Sequence, residues 1–206
     1  MKGAPPFQGG EMKGAPPFQG GEMKGAAPFQ GGEMKAGEMK RIVIGVDPPG
    51  SAGGTCGIVV CGLGRDGLAY VLADRSAGGL SPEGWARRVA ATAEGWAADR
   101  VVVENNQGGE MVESVLRTVD RTLPVRPVRA RHGKSVRAEP VAILFEQGRA
   151  KFAGAFPELE DELAGLTSGG GYEGPGRSPD RADAMVWALT ELMLGKRRAE
   201  PRIRLL

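Results

Sequence analysis

A chain of 206 residues, 41% of them hydrophobic and 25% charged, has room for one ordinary domain plus an extension and enough apolar content to bury a core. Its formal net charge of +2 excludes attraction to nucleic acid by bulk charge, so any such affinity must come from local clusters. No apolar run approaches the roughly 20 residues of a membrane span and the N-terminus lacks a signal-peptide core, which predicts a cytoplasmic protein with no membrane partner.

Residues 1–33 are three near-copies of an eleven-residue unit, MKGAPPFQGGE twice and MKGAAPFQGGE once, with a broken fourth start at Met34. Prolines and paired glycines forbid a continuous helix here. Residues 1–39 are therefore expected to be a disordered duplicated leader or an appended extension. The folded domain is expected over residues 40–195, with a basic tail over 196–206 that carries Lys196, Arg197, Arg198, Arg202 and Arg204.

RIVIGVD, from Arg41, is a near-continuous apolar run suited to a strand covered on both faces, and it ends on Asp47. Beyond a glycine-rich turn at 48–54, the runs 56–63 and 68–76 flank the turn residues 64–67 and read as a hairpin, so three antiparallel strands are expected. Cys56 and Cys61 have no histidine near them and match neither a zinc spacing nor a redox pair; they are expected to be buried, reduced thiols. Ser81 followed by Pro82 starts a helix that runs to about Trp96. DRVVVENN then forms a short strand ending on Glu104. A helix over 108–119, a strand over 123–130 and a helix over 138–147 follow, and this alternation implies parallel pairing through right-handed crossovers. The run Glu158, Glu160, Asp161, Glu162 is expected to be a solvated helix face. A glycine-rich loop at 168–176 leads into a final helix with Ser178 as cap and Pro179 in the first turn. The fold class is thus α/β: a mixed five-stranded sheet, three antiparallel strands and then parallel β-α-β units, flanked by helices.

Three acids stand out in this order. Asp47 and Glu104 each close an apolar strand, and ligands of open α/β sheets bind beyond the carboxyl ends of the strands. If those two strands are parallel neighbours, the acids end about one strand spacing, roughly 5 Å, apart. SPDRADAMVWAL places Asp183 in a helix apolar on nearly all sides, where a carboxylate is costly unless paired or bound to metal. Asp180 lies one turn earlier on the same face, although the helix dipole alone accounts for an acid there. Carboxylates converging from two strand ends and a helix make an oxygen-only site suited to Mg2+ or Mn2+, and two such ions can drive phosphodiester hydrolysis. Between Val125 and Ala138, Arg126, Arg129, Arg131, His132, Lys134 and Arg137 occur with no acid among them, a cluster suited to DNA phosphates. His132, the sole histidine, reads as a surface or phosphate-contacting residue.

VDPPG on the first strand, VVVENNQGGEMV on the fourth, GKSVRAEPVA after the fifth and SPDRADAMVWAL on the last helix resemble, over about residues 41–194, the nuclease domain of phage terminase large subunits, most nearly those of prophages and gene transfer agents. The resemblance implies an RNase H-like fold and a two-metal endonuclease that cuts double-stranded DNA during genome packaging in a bacterial host. It implies Asp47, Glu104 and Asp183 as metal ligands with Asp180 auxiliary, and a packaging ATPase, a small terminase subunit and a portal as partners. No GxxxxGK[ST] phosphate loop occurs in the chain, so the resemblance makes it a nuclease fragment or one half of a split terminase. The same carboxylate logic also serves Holliday-junction resolvases and transposase-like nucleases. An actin-like or sugar-kinase ATPase half, suggested by GVDPPGSAGGT, needs a second similar domain for which the chain is too short. A non-catalytic DNA-docking module would keep the fold without the acids.

Overall fold

The computed structural model describes residues 38–195 except 52, 107–108 and 168–170. The repeat units and the basic tail lie outside the described residues, as do the first residue of the expected 108–119 helix and part of the 168–176 loop. Met39, the last residue of the expected leader, is already buried in the first strand.

The strands are β1 (Met39–Asp47), β2 (Thr55–Gly64), β3 (Ala69–Asp74), β4 (Ala77–Gly78), β5 (Arg100–Glu104), β6 (Val125–Val128) and β7 (Ala150–Phe152). The helices are α1 (Pro82–Gly95), α2 (Glu110–Val119), α3 (Lys134–Glu146), α4 (Pro157–Ala164) and α5 (Asp180–Leu189), the last continued by a π-helical turn, Thr190–Leu194. The sheet order is β6-β5-β1-β2-β3-β7, with β4 paired to β2 off this path. The expected meander β1-β2-β3 is antiparallel, and β5 and β6 add in parallel to β1 as the alternation implied. Two strands go beyond the expected five. β4 has two residues and β7, parallel to β3 on the far edge, has three, both too short to carry a period-2 signal.

Both faces of the sheet are covered, which explains the unbroken apolar run of β1. Ile42, Ile44 and Val46 point toward α1 and α2, in a cluster with Trp85, Val89 and Leu116. Val43, with Val59 and Cys61 of β2, points the other way, toward α3, α4 and α5. Cys56 and Cys61 are buried and free, as expected. Ser81 caps α1 through its side chain, with Pro82 inside the first turn. No described helix is long and apolar enough to cross a membrane.

Two glycines set the depth of α5. Gly45 lies in β1 and Gly57 in β2, on the face that α5 covers. A methyl group on Gly45 would sit 1.8 Å from the Ala184 carbonyl oxygen, and one on Gly57 would sit 1.9 Å from that of Asp180. The α5 backbone therefore rests directly on the sheet. Ala182, Ala184 and Ala188 are all buried there, and small residues on both sides are what this close approach requires.

The start of α5 differs from the expected Ser178 cap. The helix begins at Asp180, Pro179 is the residue before it, and no side chain of its own caps it. The cap comes instead from α4: the Glu162 carboxylate accepts hydrogen bonds from the backbone N–H groups of Arg181 (2.8 Å) and Ala182 (3.0 Å). Glu162 is thus buried, correcting the expectation of a solvated acidic face, while Glu158 and Asp161 remain exposed. Leu159 and Leu163 share its face by the i, i+3 and i, i+4 spacings.

Gly45→Ala forces α5 off the sheet and should lower stability by about 2 kcal/mol or more, in the range for overpacking a core. Gly95→Ala, at the end of α1 where the added methyl meets nothing within 4 Å, should be neutral or stabilising. Urea unfolding midpoints of the two variants check this, and equal midpoints would contradict the glycine shelf.

Candidate metal centre

Asp47 ends β1 and Glu104 ends β5. The two strands run parallel in register, Val46 beside Val103, so both carboxylates emerge at one edge of the sheet. Asp183 reaches the same place from the first turn of α5, because the shelf at Gly45 and Gly57 brings that helix down to the strand ends. One carboxylate oxygen from each of Asp47, Glu104 and Asp183 lies within 4.8 Å of the other two. The Asp183 side chain is fully buried and that of Glu104 is 13% exposed. Asp180, in the first turn of α5, stands at the rim with its side chain 19% exposed.

Two cations enter this cluster from α3. That helix starts at Lys134, four residues before the expected Ala138, and the extra turn carries Lys134 and Arg137 on one face by the i, i+3 spacing. The Lys134 Nζ donates to Asp47 Oδ2 (2.5 Å), Ser178 Oγ (2.7 Å) and Asp180 Oδ1 (2.9 Å). Arg137 donates through Nε to Asp183 Oδ1 (3.2 Å), and through Nη2 to Asp183 Oδ2 (2.5 Å) and Glu104 Oε2 (3.1 Å). Its Nη1 donates to the His132 carbonyl (2.8 Å), and its guanidinium carbon lies 5.0 Å from the centre of the Trp187 ring. The Trp187 Nε1–H donates to the same Glu104 oxygen at 3.0 Å.

The remaining basic residues of the predicted cluster lie elsewhere. Arg129, Arg131 and His132 are exposed beyond the end of β6. Asn106 fastens the chain after β5 to the same region, its amide exchanging two hydrogen bonds with the Ala130 backbone. Arg126 is bonded to Glu191 of the π-helical turn, which also holds Arg41 (2.6 Å) and Arg100 (3.4 Å), near the opposite ends of β1 and β5. The roles of Trp187, Ser178 and Glu162 at this site, and that of α3 in directing cations into it, escaped the sequence reading. Trp187 had a usable signal. It stands four residues after Asp183 on the same helix face, and a buried indole N–H needs an acceptor.

The electrostatics follow from burial. Removal from water, then the neighbouring Asp183 charge, push the Asp47 carboxyl well above its usual range, against the pull of Lys134. Burial likewise raises Asp183 to about 6, opposed by the hydrogen bond and charge of Arg137. Lys134 is itself desolvated, but the charges of Asp47 and Asp183 outweigh that and hold its ammonium protonated. Four carboxylates less two side-chain cations leave two negative charges at full ionisation, which one divalent ion would balance. The donor set fits such an ion: all the atoms are carboxylate oxygens, the hard donors that Mg2+ and Mn2+ take. Ligands opposite each other on one Mg2+ are about 4.2 Å apart, so a spread of 4.8 Å needs only a small side-chain adjustment.

Known proteins share this fold and sequence pattern. The family model described as "Terminase RNaseH-like domain" matches residues 44–192. No curated protein sequence matches the chain. The large terminase nuclease of the thermophilic phage G20c superposes with a TM-score of 0.64 at 17% identity, covering 84% of this chain and 97% of the nuclease. That nuclease has also been solved with bound magnesium (TM-score 0.61, 17% identity, 73% and 81% covered). The P22 large terminase nuclease domain superposes with a TM-score of 0.56 at 13% identity, covering 81% of this chain and 85% of that domain. The HK97 bacteriophage large terminase gives a TM-score of 0.59 at 11% identity over 84% of this chain, which spans only 42% of that protein. With more than half of its length matched by the family model, the chain belongs to the terminase RNaseH-like domain family.

Proposed function

We propose that residues 40–195 form a divalent-metal-dependent endonuclease that cuts double-stranded DNA during viral-type genome packaging. The convergence of Asp47, Glu104 and Asp183 oxygens within 4.8 Å at the carboxyl ends of two parallel strands is the observation that carries this reading. These three residues would hold Mg2+ or Mn2+, with Asp180 auxiliary at the rim. Bound there, such ions would supply an activated water and neutralise charge on the phosphate and leaving oxygen. The chain's own contribution is positional. Trp187 and Arg137 both donate to one oxygen of the Glu104 carboxylate, Arg137 grips both oxygens of Asp183, and Glu162 fixes the start of the helix that carries it.

DNA would lie along the mouth of the cleft lined by Asp47, Glu104, Lys134 and Asp180. Arg129, Arg131 and His132, exposed beyond the end of β6, are the first candidates for phosphate contact, with Arg126, half-exposed and paired with Glu191, a further one. A large terminase from another thermophilic bacteriophage, similar to this chain over 40% of its own length, has been solved in complex with ATP-gamma-S. A packaging ATPase, a small terminase subunit and a portal are proposed as partners of this domain; the 206 residues contain no GxxxxGK[ST] phosphate loop, so the motor activity would come from outside them.

The plasmid test is direct. Supercoiled DNA should be nicked and linearised with Mn2+ or Mg2+, without ATP and with little sequence preference, and EDTA should stop it. Asp183→Asn should abolish cleavage while leaving DNA binding largely intact, whereas Asp180→Asn should retain part of it. Cleavage that persists in EDTA, or that Asp183→Asn leaves untouched, would overturn the proposal.

Replacing both Arg129 and Arg131 with alanine should flatten the log-log salt dependence of DNA binding by roughly two units, close to 0.9 per phosphate contact. An unchanged slope in filter-binding titrations would return these residues to the solvated edge.

Stability and metal binding should respond to pH in opposite directions. The Asp183 carboxyl is raised from 3.8 to about 6, so the fold holds that proton more tightly than the unfolded chain does. Its contribution to stability is complete below the unfolded value and lost as pH rises through about 6. The Tm in EDTA should therefore increase from neutral pH toward pH 5 or so, and the Tm gain from Mn2+ should shrink over the same interval, because a ligand carboxylate must be deprotonated. Calorimetric scans that show both quantities flat would contradict this assignment of Asp183.

A further inference from the structure

The geometry points to Lys134 as a resident, exchangeable counter-cation of the acid cluster: a divalent ion that binds at Asp47 displaces its ammonium, which then becomes available to a DNA phosphate. This rests on the metal reading proposed above and assigns an order of events within it.

An ammonium has three N–H donors, and here all three are used, by Asp47, Ser178 and Asp180. Lys134 in this arrangement has no donor left for a phosphate. Its acceptors are two carboxylates and a hydroxyl, the same oxygen chemistry that a hard cation takes. Asp47 is the point of conflict, because it belongs both to the Lys134 triad and to the three-carboxylate group with Glu104 and Asp183. A dication and an ammonium on one buried carboxylate repel each other, with little solvent between them to screen the repulsion.

Arg137 cannot answer that conflict by leaving. It makes four hydrogen bonds, lies over Trp187, is only 10% exposed, and does not line the cleft. Lys134 is different in each respect. It is held at a single atom on a flexible four-carbon stem, is 26% exposed, and lines a cleft of about 770 Å³ into which its ammonium can swing. Binding of metal and release of Lys134 are then coupled, and by reciprocity Lys134 weakens metal binding until the two exchange. Metal loading precedes phosphate contact by this lysine.

The full chain with Mn2+ as the probe tests this in two ways. Amine acetylation read residue by residue by mass spectrometry should show Lys134 protected without metal and about tenfold more reactive with saturating Mn2+, a coupling of ordinary size. The exposed Lys40 serves as the reference and should not change. In calorimetric titrations, Lys134→Met should bind Mn2+ about tenfold more tightly than the unaltered chain. If Mn2+ binds the unaltered chain while Lys134 reactivity stays level, the exchange is overturned and the metal reading stands. If Mn2+ binds neither the unaltered chain nor Lys134→Met, the metal reading itself fails. The labelling result decides the matter even if the variant does not fold.

Discussion

The contact between the α5 backbone and two glycines is the constraint on which the site depends. A helix packed on a sheet through ordinary side chains stands about 10 Å away from it, too far for a short aspartate to join carboxylates at the strand ends. With no side chain at Gly45 or Gly57, the carbonyls of Ala184 and Asp180 come down to the strands themselves. Asp183 then needs only its own short reach to stand beside Asp47 and Glu104. The same closeness removes water, and so it both builds the cluster and makes it electrostatically expensive.

That expense explains the neighbourhood. Carboxylates that repel one another in a dry place require compensation by protons, cations or a metal ion, and this chain supplies two cations from a single helical turn. The placement of α3 is thus tied to the acids, because its first turn is where Lys134 and Arg137 enter the cluster. Glu162 completes the arrangement from the other side. By receiving the first free N–H groups of α5 it occupies the position a local cap would have taken, and it ties α4 to the helix that bears Asp183. Arg181, paired with both Glu162 and Asp74, links that junction to the end of β3.

The sequence was legible where a signal is local. The acid-terminated apolar runs of β1 and β5, the hairpin turns and the Ser81–Pro82 helix start each declare themselves within a few residues, and the three acids could be singled out on that basis. Features set by contact across the fold were not legible in this way. Ser178 followed by Pro179 carries a good local start signal, yet a carboxylate sixteen residues upstream of Ser178 is the actual cap. The helix expected from Ala138 begins a turn earlier, at Lys134, with Lys134 and Arg137 tied to the acids by ion pairs. Gly45 and Gly57, each inside a strand, are marks of such a contact, because glycine there weakens a strand unless another backbone comes close.

The two basic residues of α3 also show why a charge run is poor evidence for where charges point. Arg126 to Arg137 is one uninterrupted cluster in sequence, but the fold divides it among three environments. Arg126 is held with Arg41 and Arg100 on Glu191, Arg129 and Arg131 face solvent, and Lys134 and Arg137 turn inward. The division follows from periodicity. In the strand, side chains alternate between faces, so Arg126 shares the α5 face with Arg100 and Val102; in the helix, residues three apart share a face, so Lys134 and Arg137 reach the acids together. Arg129 and Arg131, between these elements, belong to neither and are exposed. Under the proposed function, phosphate contact and acid neutralisation would be separate tasks for neighbouring residues, joined through Lys134.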